Sequence, residues 1–221
     1  MKFKLLLFLL IISFLPVNNS AQNSDSEKLV MINPAGDANN PGRKIGFSNE
    51  RNISFQLADK IKNSISSNYK VKSVLTREPR EVVYPLQIAS FANRFNTNFF
   101  ISLHIFPQEN PKPSIYIYYQ LYNPMVDLAT HKFNNFEFIS IYQAHFANIR
   151  NSIALATKME NTLRSSQFNK LLDVYGPYGL PLVPLLGIQS SSVLIEAGIS
   201  DENDLPRIIQ PIVESLQFLK D

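Results

Sequence analysis

The chain has no cysteine, so it carries neither a disulfide framework nor a lipoprotein acylation site, and core packing alone must hold its fold. Excess charge of one sign is nearly absent too. The formal net charge is +3 over 221 residues, and two of the positive charges, Lys2 and Lys4, belong to an N-terminal leader without acids, so the remainder carries +1. A nearly neutral chain has no electrostatic footprint for nucleic acid. No apolar run is long enough for a comfortable membrane span of about 20 residues, since the longest covers Leu5 to Leu15. There is no internal repeat and no low-complexity linker.

What is present begins with that leader. A positive start, the apolar run and a polar stretch ending Asn19-Ser20-Ala21 predict a secretory signal peptide over residues 1–21, cleaved near Ala21. The expected location is therefore secreted or periplasmic, with no membrane span after cleavage. Residues 22–221, roughly 200 in number, suit one domain with a sizeable core.

Short apolar strands alternate with amphipathic helices. Lys28 to Asn33 predicts a strand, and Pro34 to Gly46, rich in Gly, Pro and Asn, a loop. Asn49 is placed to cap a helix carrying Ile53, Leu57, Ile61 and Ile65 at spacing four. Val71 to Thr76 follows as a strand, a helix starts near Tyr84, and Phe99 to Leu103 is the next strand. Ile115 to Gln120 is β-prone, Asn151 to Leu163 helical, Ser192 to Ile195 the last strand, and Leu205 to Leu219 a closing helix with Pro206 in its first turn. The pattern predicts an α/β fold of three layers, a mostly parallel twisted sheet with helices on both faces. An aromatic-rich segment at about 121–149, containing His131, Phe133, Phe136, Phe138 and His145, is an insertion expected to be partly helical and packed on the domain.

In an open parallel sheet, ligands collect at the carboxyl ends of the strands. Gly36, His104 and Glu196 each follow an expected strand, and Glu50 opens the helix after the first, so one crevice is expected to bring all four together. Taken singly, each has a plainer role. Acidic residues suit the first turn of any helix, and a lone strand-end His or Glu is commonly structural.

Four segments, Met31 to Ala38, Ser48 to Asn52, Ile101 to Ile105 and Val193 to Gly198, together resemble the metal site of the zinc-dependent N-acetylmuramoyl-L-alanine amidases of the cell wall. Val74-Leu-Thr-Arg77 and Ala89-Ser-Phe-Ala-Asn93 extend the likeness over nearly the whole domain. The resemblance implies that Glu50 and His104 are zinc ligands and Glu196 the catalytic carboxylate, acting on metal-bound water to cut the amide between N-acetylmuramic acid and L-alanine. It also implies peptidoglycan, or a cell-wall enzyme, as partner. The first ligand of the family, a His, is replaced by Gly36. Even a change behind a metal ligand costs roughly 10 to 100-fold in affinity, so a missing ligand predicts impaired or absent zinc-dependent hydrolysis. The non-catalytic expectation is a wall-binding relative, with Tyr116, Tyr118, Tyr142, Tyr175 and Tyr178 available to stack on sugars or pack on a partner. The catalytic alternative is an active zinc amidase in which Asp37, one position from the missing His, or another residue supplies the third ligand.

Overall fold

A computed structural model describes residues 28–122 and 140–220. The expected signal peptide and His131, Phe133, Phe136 and Phe138 of the insertion lie outside these residues. The chain runs β1 (Leu29–Pro34), a small hairpin β2 (Lys44–Ile45) and β3 (Ser48–Asn49), α1 (Glu50–Tyr69), β4 (Lys72–Leu75), α2 (Pro85–Arg94), β5 (Phe99–Pro107) and β6 (Ser114–Gln120). It continues through α3 (Ile149–Leu163), β7 (Asp173–Leu180), β8 (Ser191–Ile199) and α4 (Leu205–Ser215).

Six strands form one sheet in the order β4-β1-β5-β8-β6-β7. All neighbouring pairs are parallel except β6 with β8. Strand residues alternate between two apolar layers. Ile101, Leu103 and Ile105 of β5 join the larger core, shared with Ile53, Leu57, Ile61 and Ile65 of α1, Leu155 and Met159 of α3, and Ile208 and Ile212 of α4. Phe100, with Met31 and Leu194, faces the other way, onto Ala89 and Ala92 of α2 and onto Leu185 and Ile188. Helices thus cover both faces, but unequally, and among the described residues the second face beyond β8 carries a row of tyrosines and no helix.

The cap on α1 forms as its sequence dictates, the Asn49 side chain accepting a hydrogen bond from the Asn52 N–H at 3.1 Å. Three expectations need correction. Strands β5 and β8 run about twice as far as expected, because their parallel pairing continues to Pro107 opposite Ile199, so His104 and Glu196 lie within strands and not after them. The closing helix stops at Ser215, and a 3-10 turn, Gln217–Lys220, completes it. Strand β7 has no counterpart in the sequence reading: its Tyr175-Gly-Pro-Tyr-Gly179 looks like a turn, but β7 is an edge strand, where Pro is tolerated. Of the insertion, Ala144–Asn148 forms a 3-10 helix with His145 buried, so His145 is packed in the fold and does not line the crevice described below.

Candidate functional site

Register assembles the site. His104 on β5 lies opposite Glu196 on β8, Glu196 lies opposite Tyr116 on β6, and Tyr116 lies opposite Tyr175 on β7. Residues opposite one another project from the same face, so these four form one row across the sheet. Two residues back along β1 and β5, Asn33 and Ser102 are also paired, and their side chains hydrogen-bond at 3.1 Å while Asn33 Oδ1 accepts from the Thr76 hydroxyl at 2.7 Å. This buried polar chain ties β4, β1 and β5 together just beneath the loop that holds Gly36.

Glu50, the first residue of α1, is buried and turns its carboxylate toward β5. Its Oε1 lies 3.2 Å from His104 Nδ1 and accepts the Ile105 N–H at 3.2 Å, while Oε2 accepts the Arg43 N–H at 3.3 Å. With Nδ1 directed at a carboxylate, His104 Nε2 is the remaining ring nitrogen, and it is buried with no hydrogen-bond partner among the described residues. Glu196 does not face the pair directly. Its Oε1 is bound by the Arg43 guanidinium at 2.5 Å, the same nitrogen donating to the Ile105 carbonyl at 3.3 Å, and its Oε2 lies 3.5 Å from the Tyr118 hydroxyl. Burial and the neighbouring Glu196 charge push the Tyr118 phenol up to about 12. Arg43 therefore stands between the two carboxylates.

Gly36 occupies the turn after β1 with φ at +72°, and a β-carbon there would lie 2.8 Å from both Arg51 Cβ and the Asn40 carbonyl oxygen. Its neighbour Asp37 folds the loop: Oδ1 accepts the N–H groups of Asn39 and Asn40 at 2.8 and 2.9 Å, and Oδ2 that of Val83 at 3.4 Å. Gly36, Asp37 and His104 line a shared crevice of about 220 Å³, closed on its far side by Val183 and Pro184. Of the four residues expected to share one crevice, Gly36 and His104 line this one, whereas Glu50 and Glu196 do not and adjoin it through His104 and Arg43. Among the described residues no group of three or more His, Asp or Glu is placed to hold a metal ion.

The tyrosines continue the row. Tyr116 and Tyr175 stack with centroids 4.6 Å apart, Tyr116 lies 6.4 Å from Tyr118, and Tyr118 lies 5.9 Å from Tyr178. Tyr142 is separate, paired with Tyr122 at 5.2 Å.

Arg43 is the residue that sequence reasoning missed. It sits in an irregular loop where no periodicity marks it; the available signal was a basic residue seven positions before a helix-opening Glu, in a chain with few charges.

Glu50 also makes stability depend on pH. Burial pushes its pKa up, but hydrogen bonds from His104, Arg43 and Ile105 outweigh that and hold it below the ordinary carboxylate range. A depressed folded pKa contributes stability above the unfolded value, and the contribution is lost as pH falls through the folded value. The urea midpoint is expected to drop as pH falls below about 4.5, and Glu50→Gln is expected to flatten that drop. Equal slopes in both proteins would assign the effect to another group.

The sheet order, the unequal helical cover and a crevice at the carboxyl ends of β1 and β5 define a layered α/β domain with its site at the strand ends. A family model described as N-acetylmuramoyl-L-alanine amidase matches residues 30–215, and the chain belongs to that family. Several solved structures share the fold. AmiC2 of Nostoc punctiforme superposes with a TM-score of 0.64 at 18% identity, over 88% of this chain and 98% of that one. The catalytic domain of CwlV from Bacillus (Paenibacillus) polymyxa var. colistinus gives 0.61 at 19%, over 86% and 97%. CwlD of Clostridioides difficile, solved with the GerS lipoprotein, gives 0.61 at 17%, over 87% and 98%. No curated protein matches the chain. Among the described residues no helix is long and apolar enough to cross a membrane.

Proposed function

We propose that this protein is exported, secreted or periplasmic, and binds peptidoglycan or a cell-wall enzyme through an amidase fold whose zinc-dependent hydrolysis is impaired or lost. The observation that carries this reading is the Arg43 guanidinium on Glu196, the carboxylate from which the family chemistry would take its proton acceptor. A catalytic zinc takes three protein ligands and leaves a position open for water. Here Glu50 and His104 offer two donors, position 36 has no room for a side chain, and both Asp37 oxygens are spent on backbone N–H groups. That donor set does not fit a catalytic zinc. The half-exposed Tyr175 and Tyr178, continuous with Tyr116 and Tyr118, supply a flat aromatic surface beside the crevice suited to the apolar face of a sugar.

One observation favours the second reading, an active zinc amidase with Asp37 or another residue as third ligand. Glu50 Oε1 and His104 Nδ1 are 3.2 Å apart, a separation two ligands of one cation also adopt, and His104 Nε2 has no partner among the described residues. The deciding experiment measures zinc content and affinity of the mature protein, beside His104→Ala and Asp37→Ala, together with its binding to purified sacculi. The expected result is no zinc at micromolar free metal and retained binding to sacculi, unaffected by Glu196→Ala. Stoichiometric zinc that disappears in His104→Ala would instead favour the enzyme reading, and loss in Asp37→Ala would identify the third ligand.

A further inference from the structure

A second cleft, of about 400 Å³, opens beside α1 and shares no lining residue with the crevice. Three guanidinium groups line it, those of Arg51, Arg77 and Arg80, together with Asn52, Phe55 and Gln56. Among the described residues none of the three arginines forms an ion pair. Arg77 is buried, its guanidinium 5.4 Å from the centre of the Phe55 ring, and burial followed by repulsion from Arg51 lowers its pKa. The acids whose charge acts on Arg77 are Asp37 and Glu81, and no acid lines the cleft among the described residues. Asp37 is engaged with the loop amides, and Glu81 Oε2 accepts the Glu78 N–H at 2.7 Å.

Arg80 is an independent sign. It follows Pro79 in a turn closed by the Glu81 N–H on the Glu78 carbonyl at 3.4 Å, and its φ is +71°. Pro followed by a left-handed residue is the pattern of a type II turn, in which Gly or Asn is the ordinary occupant of the second place. An arginine there accepts backbone strain that glycine would avoid. What it gains is a third guanidinium at the mouth of a cleft already holding two.

We propose that this cleft binds an oxyanion, a carboxylate or phosphate group of a ligand, through the forked donors of Arg80 and the Nη2 of Arg51, whose Nε and Nη1 are held by Asn52 and by the loop carbonyls. Buried Arg77 supplies positive charge behind them and Phe55 an apolar floor. Guanidinium forks match the two oxygens of either group, and a mutually repelling, unpaired set gains most from an anion placed among them. The proposal is independent of whether zinc binds. It also reaches the crevice, because Arg51 donates to the carbonyls of Asp37 and Ala38 and Arg77 to those of Pro34 and Ala35, so an anion steadies the loop that carries Gly36.

The test follows thermal unfolding and calorimetric titration with inorganic phosphate and, separately, succinate, at an ionic strength fixed with sodium chloride. The expected result is a saturable rise in Tm with one or both anions, and an affinity reduced at least about tenfold in Arg80→Ala, an exposed position whose loss leaves the core intact. A response to phosphate alone assigns a phosphoryl ligand, and to succinate alone a carboxylate ligand. An equal rise with chloride alone, or undiminished binding in Arg80→Ala, overturns the proposal.

Discussion

Gly36→His, the substitution that tests the proposed lack of a ligand at this position, is expected to lower stability by about 2–4 kcal/mol and to leave zinc affinity unchanged. Two costs combine. The φ of +72° is one that a residue with a β-carbon adopts at a penalty, and that β-carbon would lie 2.8 Å from Arg51 Cβ and from the Asn40 carbonyl, where it overlaps them. Neither neighbour moves freely: Arg51 is fixed in the first turn of α1 and donates to Asp37 and Ala38, and the Asn40 carbonyl accepts the Asp37 N–H at 2.9 Å. Gly36→Ala should already show most of the loss, since it adds the β-carbon without the imidazole. Urea unfolding of both variants at unchanged m-value, with a zinc titration of each, is the check. Tight zinc binding by a Gly36→His protein of native stability would mean that the loop accommodates a ligand here, and the reading of this site as closed to zinc would fall.

That result would also bear on what the sequence can convey. Helix α1 is legible because its cap, Asn49, and its buried stripe, Ile53, Leu57, Ile61 and Ile65, agree. The approach of Glu50 to His104 is legible because an alternating strand–helix pattern sets the start of α1 against a neighbouring strand, whereas Glu196 is held away from that pair by Arg43. Strand lengths were not, since β5 and β8 extend each other through pairing across 92 residues of sequence, as Phe99 opposite Ser191 shows. Nor was β7, whose Gly and Pro carry turn signals that only an edge position overrides. The most consequential omission, Arg43, follows from the same limit. Its partners Glu196 and Ile105 are 153 and 62 residues away, and a loop has no period to say where its side chains reach. Asp37 shows the converse case: its type and position invited a ligand role, while the local N–H groups of Asn39 and Asn40 had first claim on its oxygens.

Arg77→Met is expected to cost about 3 kcal/mol, because it removes a buried charged donor from several carbonyls at once. Arg77 Nε donates to Pro34 O at 3.3 Å, and Nη2 to Ala35 O and Arg51 O at 3.0 and 3.2 Å, so one side chain binds the loop after β1 to the first turn of α1. Part of the loss is offset. Ala35 O also accepts the Ser54 hydroxyl at 2.8 Å, and Met relieves the burial of an arginine that has no carboxylate beside it. The remainder is concentrated at the Gly36 loop, so the variant should differ from an ordinary core defect in where it opens. Amide hydrogen exchange is expected to accelerate over Pro34 to Asn40 more than over the buried centre of β5, with a matching fall in the urea midpoint. Uniform acceleration across the sheet would show instead that Arg77 supports the fold as a whole, and would remove the basis for linking the arginine cleft to the crevice.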